Sequence, residues 1–201
     1  MVEITNSMED ISDVAIRSGI KPLSVLSICT GYGGLELGLR TILHTRTIMY
    51  VEIELSVASL LVSLMEKGLL DPAPIWSDLK SVPYEIASGK VDIIAGGFPC
   101  TPFSFAGGRK QESDDRNLLP DVRRLIERVW FPKLVYFENV PGIITAGDGK
   151  PGYYWTTIRR ELREMGYSVK EGIFSAQEVG APHRRDRLYI LGSLAHIQGE
   201  G

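Results

Sequence analysis

Cys100 lies between two prolines at the end of an apolar run, in the segment GGFPCTPFS that spans residues 96–104. Pro99 and Pro102 fix the backbone angle φ on both sides of the cysteine, which holds its sulfur in one position. A nucleophilic thiol needs such positioning, together with surroundings that favour the thiolate. Cys100 is therefore a candidate nucleophile. The alternative is an inert buried cysteine, the commoner fate of this residue type.

Glu138 is a second side chain that could do chemistry, at the end of the apolar run LVYFENV in residues 134–140. A carboxyl group at the end of an apolar strand is partly desolvated, and desolvation favours its protonated form. A thiol and a protonatable carboxyl group at neighbouring strand ends would pair a nucleophile with an acid. The alternative is a structural glutamate in a hydrogen-bonded loop.

A glycine cluster occurs in TGYGGLELG, residues 30–38. Gly31, Gly33 and Gly34 allow the backbone to approach a ligand and to turn into a helix whose N-terminus offers free N–H groups. Glu52 follows about 20 residues later, where a nucleotide-binding fold places an acceptor for ribose hydroxyls. Together they indicate an adenosine-containing cofactor. The alternative is a tight turn with Glu52 capping the next helix.

Asp78 follows a short apolar piece at residues 74–76, where it is placed to accept a hydrogen bond from an adenine amino group. Taken by itself, this residue is more simply a helix cap. Glycines or acceptors after three consecutive strands nevertheless favour a cofactor site over three unrelated structural roles.

Short β-rich runs alternate with stretches in which apolar residues recur every three or four positions. This alternation predicts an α/β fold with a mostly parallel, doubly wound sheet. Ligands bind beyond the carboxyl ends of such strands, so the candidate side chains are expected at one edge. The β-rich runs are residues 24–29, 47–53, 91–95, 134–137 and 188–191, and the helical stretches are about 35–43, 55–67, 119–130 and 154–165.

The ordered motifs TGYGGLELG, GGFPCTPFS, FENV and GAPHRRDRLYILG resemble those of the C5-cytosine DNA methyltransferases. The resemblance extends over residues 26–192, and its Pro-Cys and Glu-Asn-Val elements are highly specific in this order. It implies the Rossmann-like, S-adenosylmethionine-dependent methyltransferase fold. The positions implied to bind S-adenosylmethionine are Gly31, Gly33, Gly34, Glu52, Asp78 and Pro99.

The resemblance also implies a covalent mechanism on cytosine in DNA. Cys100 would attack C6 while Glu138 contacts N3, so that C5 becomes nucleophilic and accepts the methyl group of S-adenosylmethionine. Loss of the C5 proton would then release the thiol. Because these ring atoms are inaccessible within a base stack, the expected partner is a DNA duplex with a flipped cytosine.

The segment HRRDR, residues 183–187, matches a family pattern of Gln-x-Arg-x-Arg, with His183 in the place of Gln. Arg185 and Arg187 match the two arginines. One of them, with Arg187 favoured, is expected to donate to the cytosine O2 and to steady Glu138, while Arg185 is also a DNA-binding candidate. Without the other motifs, three arginines within four residues would indicate a solvated charged turn.

Ser104 and residues 105–117, rich in glycine and charge, resemble the loop that closes over DNA in the family. Their composition independently predicts flexibility, and Ser104 is the implied DNA contact. Two departures stand out: Cys29 occupies a place where the family usually has Phe against the cofactor, and Thr101 stands where Gln is usual. Neither departure removes a reacting group.

The composition fits one globular domain, since 201 residues with 44% apolar content can bury a core. Cys29 and Cys100 are far apart without a CxxC spacing, which argues against zinc and against a disulfide framework, and no metal is expected. The chain lacks an apolar run of ~20 residues and a secretory signal, so the expectation is a cytoplasmic protein without a membrane segment. The net charge of −3 gives no hint of nucleic acid.

The family comparison also implies a missing part, because only the nine residues 193–201 follow Gly192. Family members continue with a target-recognition region and a closing helix. The expected domains are an N-terminal helical segment at 1–22, a catalytic domain at 23–192, and a tail at 193–201 where a recognition lobe would begin. A second subunit, a truncated gene product, or a permuted arrangement in which residues 4–19 replace the closing helix would each account for this.

Several functions remain open on the sequence. A related enzyme class methylates tRNA with the same motifs. A non-catalytic module could retain the fold and bind cofactor or a partner subunit. A nicotinamide-dependent dehydrogenase would explain the glycine loop, although it leaves Cys100, Glu138 and the arginine cluster without a role.

Overall fold

The computed structural model describes residues 18–87, 89–98, 118–145 and 153–194. The strands are β1 (Leu23–Ile28), β2 (Thr45–Val51), β3 (Ile75–Trp76), β4 (Ile93–Gly96), β5 (Leu134–Asn139), β6 (Tyr167–Ser175) and β7 (Asp186–Leu194). The helices are α1 (Gly34–Arg40), α2 (Leu55–Glu66), α3 (Tyr84–Ala87), α4 (Leu119–Arg128) and α5 (Tyr153–Glu164). Short 3₁₀ turns span Leu79–Ser81, Pro141–Ile144 and Ala176–Val179.

The strands form one sheet in the order β3-β2-β1-β4-β5-β7-β6. The strands from β3 to β5 pair in parallel, whereas β7 pairs antiparallel with both β5 and β6. The predicted α/β class with a mostly parallel sheet is therefore confirmed. Because β7 runs in the opposite direction, its amino end lies at the same edge as the carboxyl ends of the parallel strands.

Helices cover both faces of the sheet because alternate residues of the central strands point to opposite sides. On one side, Val122, Leu125 and Ile126 of α4, followed by Val129 directly after the helix, have the spacing of one helical face and pack in the main hydrophobic core. Across the sheet, Leu39 of α1 belongs to a second buried cluster with residues of β1 and β4. The two clusters make the sheet doubly wound.

The far end of the sheet departs from the sequence-based expectation. Strand β6 was not predicted, and β7 extends over Asp186–Leu194 instead of residues 188–191. β6 is an edge strand whose side chains are mostly exposed, so its sequence lacks the apolar enrichment that marks a buried strand. Backbone pairing with β7 along its whole length defines it instead.

Within the described ranges, no helix is long and apolar enough to span a membrane. In the same ranges, no group of three or more His, Cys, Asp or Glu side chains is arranged to hold a metal ion. Most of the predicted N-terminal helical segment, residues 1–17, and most of the predicted tail, residues 195–201, lie outside the described part of the chain.

Candidate active site

Glu138 and Arg187 form an ion pair at the edge where the parallel strands end. Arg187 Nε lies 2.5 Å from Glu138 Oε1, and the side chains of Arg187 and Glu138 are 21% and 26% exposed, respectively. Glu138 lies opposite Tyr189 in the β5–β7 ladder, so the two ion-pair residues are diagonal neighbours on one face of the sheet. The antiparallel course of β7 thus brings a guanidinium to a carboxylate that ends a parallel strand.

Gly97 leaves room for this carboxylate. It directly follows β4, which pairs in parallel with β5, and a Cβ added to it would lie 2.8 Å from Glu138 Oε2. That distance is shorter than real Cβ contacts. A side chain at position 97 would displace Oε2 of the carboxylate, whose Oε1 is held by Arg187. Gly97 therefore leaves the space that the Glu138 carboxylate occupies in this position. Gly97 lies three residues before Cys100 in the sequence.

Asn139 joins the two strand ends. Its side chain is 5% exposed, and its Nδ2 donates to the carbonyl oxygen of Phe98 at 3.2 Å. Its Oδ1 accepts from the backbone N–H of Val140 at 2.8 Å. Phe98 also makes an edge-on contact with the ring of Phe137, with centroids 5.3 Å apart. These contacts fix the chain immediately before Pro99 relative to the strand that carries Glu138.

The glycine loop after β1 is held by Glu52. The backbone passes through left-handed conformations at Cys29, Gly31 and Gly33, with φ of 46°, 56° and 77°. Glu52, at the end of β2, accepts from the N–H of Gly31 at 2.8 Å and from the N–H of Glu54 at 2.9 Å. Glu52 is only 9% exposed. Its hydrogen bond to Gly31 ties the glycine loop to the end of β2.

Open space lies on one side of the loop. A Cβ added at Gly31 or Gly34 would meet no atom of the described residues within 4 Å, whereas one added at Gly33 would come within 2.9 Å of Leu70. Gly33 therefore packs against the protein, and the other two glycines leave the backbone accessible. This is the arrangement that a ligand lying along the loop requires.

A sequence model of the C-5 cytosine-specific DNA methylases matches residues 23–198. The chain belongs to this family. The matched range contains the glycine loop, Glu52, Glu138 and Arg187.

Curated relatives of this DNA methylase chain are Type II methyltransferases. M.PspPI of Psychrobacter sp. (strain TA137) is 30% identical over 84% of this chain, and the aligned part is 39% of that protein. M2.BsuMI of Bacillus subtilis (strain 168) is 32% identical over 86% of this chain and 42% of that protein. The chain thus spans about 40% of the length of these relatives.

Solved structures agree with the methyltransferase fold. The Dnmt2 methyltransferase of S. pombe superposes with a TM-score of 0.68 at 23% identity, covering 89% of this chain and 53% of that one. The Entamoeba histolytica methyltransferase EhMeth gives a TM-score of 0.66 at 22% identity, covering 90% and 55%. At such identities the likeness establishes the fold, and the predicted fold class is confirmed.

The remaining residues predicted from the sequence do not lie at the ion pair or in the glycine loop, or fall outside the described residues. The side chain of Asp78 caps the 3₁₀ turn that follows it, because its Oδ1 accepts from the backbone N–H of Lys80 at 2.9 Å. Arg185 is exposed, and its carbonyl oxygen accepts from the N–H of Ala176. Pro99, Cys100 and Ser104 lie outside the described residues, as does the predicted loop at 105–117.

Cys29, the residue that departs from the family pattern, directly precedes the glycine loop. Burial, followed by the negative charge of Glu52, raises the pKa of its thiol to about 12. The thiol is consequently neutral at physiological pH. It presents a small apolar group where the family usually has an aromatic ring.

Sequence reasoning assigned no role to Asn139 and none to Glu36. The sequence shows Asn139 next to Glu138. Its hydrogen bond to Phe98, however, depends on the pairing of β4 with β5, which the sequence does not reveal. Glu36 is an acid that points inward beside Leu39 of a short helix, and it is 2% exposed. Placing α1 on a helical wheel would have shown this acid on the buried face.

Proposed function

We propose that this chain is the catalytic lobe of a methyltransferase that transfers a methyl group from S-adenosylmethionine to C5 of cytosine in DNA. The observation that carries the proposal is the Glu138–Arg187 ion pair at the edge where β4 leads towards Cys100. Family membership alone supports methyltransferase chemistry. The ion pair adds that the acid proposed to contact the base, Glu138, lies beside the cation proposed to hold it, Arg187.

S-adenosylmethionine fits the loop after β1. No other described residue crowds Gly31 or Gly34, and Glu52 lies at the end of the neighbouring strand. We assign these residues, with Gly33 as the packed glycine of the turn and Pro99 at the next strand end, to the cofactor. Asp78 would contact the adenine amino group through Oδ2, since Oδ1 accepts from Lys80 N–H in the cap. When bound, the cofactor supplies an electrophilic methyl group.

Cys100 is proposed as the nucleophile towards the cytosine ring. Its thiolate adds to C6, forming an S–C6 bond, and the electrons of the C5–C6 double bond make C5 a nucleophile. After C5 is methylated, a base removes the C5 proton, and those electrons restore the double bond while the thiolate leaves. The cysteine is therefore regenerated, and the ring recovers its aromatic system.

Glu138 and Arg187 are proposed to act on the opposite edge of the ring. Glu138 contacts N3 and shares a proton with it, which draws the electron density that the thiolate adds at C6. Arg187 holds the carboxyl group in place and donates to O2 of the base, so that negative charge on the ring is stabilised by preorganised groups. Arg185 and Ser104 are the proposed contacts to the DNA around the flipped cytosine.

Target recognition is proposed to come from residues beyond those of this chain. The curated relatives are more than twice as long as the part that matches here. A second subunit, or a further segment of a longer polypeptide, would supply the surface that reads the DNA sequence. The rival function is a module that binds cofactor or a partner without catalysis.

A mechanism-based trap separates the two functions. The chain is incubated with S-adenosylmethionine and a mixed-sequence duplex in which one strand carries 5-fluorocytosine in place of cytosine. Fluorine cannot leave as the C5 proton does, so a catalytic Cys100 is expected to remain covalently attached to DNA, seen as a retarded band on a denaturing gel. Cys100→Ser should give no adduct, and Glu138→Gln should give almost none.

An ordinary cytosine duplex is the matched control and should leave no stable adduct. If the wild-type chain forms no adduct with the fluorinated duplex, either alone or together with a protein that supplies the target-recognition region, the catalytic proposal for this chain is wrong. Binding of S-adenosylhomocysteine without an adduct would identify the non-catalytic module.

A further inference from the structure

Glu36 is a buried acid directly beneath the glycine loop. It lies in the first turn of α1, the helix that follows the loop, and only 2% of the residue is exposed. Leu39, the neighbouring inward-facing residue of the same helix, packs in an apolar cluster, and its side chain has no polar atom that needs a hydrogen bond. An acid at such a position is costly, because burial removes its hydration. Packing of α1 therefore does not explain why residue 36 is a glutamate.

The contacts of Glu36 lead into the loop. Ser27 Oγ donates to Glu36 Oε1 at 2.5 Å and shares a hydrogen bond of 2.8 Å with Thr30 Oγ1. Thr30 is the residue before Gly31, and its hydroxyl also lies 3.4 Å from the carbonyl oxygen of Val51. The chain of hydroxyl groups thus runs from α1 through β1 to the loop and the end of β2.

The other carboxyl oxygen, Oε2, is buried without a hydrogen-bond partner among the described residues. An unpaired oxygen of a neutral carboxyl group costs much less in a buried place than one of a carboxylate. Burial raises the pKa of Glu36, and the Ser27 hydroxyl opposes that rise only in part.

We propose that Glu36 is a positioning residue for cofactor binding, which fixes the glycine loop from below through Ser27 and Thr30. Glu52 holds the same loop from the adjacent strand end by accepting the N–H of Gly31. Two acids thus act on neighbouring residues, one through side-chain hydroxyls and one through the backbone. Glu36 does not touch the cofactor, and its effect passes through the shape of the loop.

This positioning role rests on the proposed function, because the cofactor is what the loop must accept. A firmly held loop also has a consequence for the chain without cofactor. The backbone N–H groups of Thr30, Gly31 and Gly33 all donate within this region, so their hydrogen exchange reports how firmly the loop is held. Loss of the hydroxyl chain is expected to accelerate that exchange.

The test compares Glu36→Gln, Glu36→Leu and Ser27→Ala in two measurements on the whole chain. The first is the dissociation constant for S-adenosylhomocysteine by calorimetry, and the second is amide hydrogen exchange of the loop without ligand. Gln is neutral, has nearly the same shape and can both donate and accept, so binding within about threefold of wild type is expected. Leu and the Ser27 variant should each weaken binding by about tenfold or more and speed loop exchange.

Leu39→Ala is the matched control, since it creates a cavity under the same helix and leaves the hydroxyl chain intact. At a temperature well below its unfolding transition it should destabilise the protein yet keep near wild-type affinity. If Glu36→Leu binds like wild type and its loop exchanges no faster, the inference is wrong. It is equally wrong if Leu39→Ala weakens binding as much as Glu36→Leu does.

The proposed function fails in a different way. If the wild-type chain does not bind S-adenosylhomocysteine, the cofactor assignment is contradicted, together with any positioning role towards it. Loop exchange that still depends on Glu36 in that case would keep the structural part of the inference and overturn only its link to the cofactor.

Discussion

Arg187 Nε lies 2.5 Å from Glu138 Oε1, although the two residues belong to antiparallel strands and are far apart in sequence. Both side chains are about three-quarters removed from solvent, so Arg187→Ala leaves a partly buried carboxylate without its cation. We expect a loss of about 1–3 kcal/mol in the free energy of unfolding, measured by urea titration. The yield of covalent adduct with 5-fluorocytosine DNA should fall at least about a hundredfold.

Arg184→Ala is the matched control for this prediction. Arg184 pairs with Asp186 in an exposed position, and exposed ion pairs contribute about 0–1 kcal/mol. Its adduct yield should remain near that of wild type. Arg187→Lys keeps the charge but loses the Nε donor, so only partial recovery is expected. Equal effects of the Arg184 and Arg187 substitutions would contradict a specific role for the ion pair.

Gly97→Ala is expected to damage the site more than the fold. The added Cβ would lie 2.8 Å from Glu138 Oε2, so the carboxylate must move away from its position beside Arg187. Adduct formation should drop by about tenfold or more, because small displacements of reacting groups are costly, while the melting temperature changes little. An adduct yield equal to that of wild type would show that the carboxylate position does not matter.

Gly96→Ala is expected to give the opposite result. There the added Cβ would collide with the backbone carbonyl of Ile28 in the neighbouring strand, so the sheet itself must distort and soluble folded protein should be lost. Gly142→Ala is the neutral control, because an added Cβ there meets no atom of the described part of the chain within 4 Å. Circular dichroism of the three variants separates damage to the fold from damage to the site.

The buried acid Glu36 predicts a dependence of stability on pH. Burial raises its pKa in the folded chain above the ordinary value of 4.5, so folding favours the protonated form. The stabilisation is complete below the unfolded pKa and is lost as pH rises through the folded pKa. Relative to Glu36→Gln, the wild-type chain should therefore lose free energy of unfolding as pH rises from about 4.5 towards neutrality.

Urea titrations of the two proteins at matched pH values test this difference. Groups that titrate alike in both proteins cancel. The groups facing Glu36 from β1 and β2 are Ser27, which does not titrate in this range, and Tyr50, whose pKa burial raises to about 12. A difference that is constant with pH, or that grows in favour of wild type, would contradict a protonated Glu36.

Cys29 is predicted to be chemically inert despite its place beside the glycine loop. Its pKa of about 12 leaves very little thiolate at pH 8, and the thiolate is the reacting form. In the Cys100→Ser background, where Cys29 is the only remaining cysteine, alkylation by iodoacetamide should be at least about a hundredfold slower than that of free cysteine. Unfolding in urea should restore the ordinary rate, and a fast reaction in the folded chain would exclude the raised pKa.

Several parts of the fold and site could be predicted from the sequence because they depend on local patterns. Apolar runs and turn residues located most strands, and parallel order then placed the strand ends at one edge. Glu138 was predicted as a site residue because it ends an apolar run. Arg187 came from the family motif, and no local pattern specifies the distance between the two residues.

Other parts depended on contacts that a sequence does not reveal. Asp78 follows its strand as expected, but a nearby backbone N–H satisfies its carboxylate and turns it into a cap. Asn139 reaches Phe98 only because β4 and β5 are neighbours in the sheet. The exposed edge strand β6 is defined by its pairing partner and not by its composition.

The position of β7 between β5 and β6 also determines the order in which the sheet can be completed. Strand β6 is synthesised earlier, yet among the described strands it pairs only with β7, so the two must join as a hairpin. A nascent chain that has emerged only as far as β6 holds the parallel strands and both acids that clamp the glycine loop, but not the guanidinium. The ion pair of Glu138 with Arg187 can thus form only after Glu36 and Glu52, the two acids that hold the glycine loop, have been synthesised.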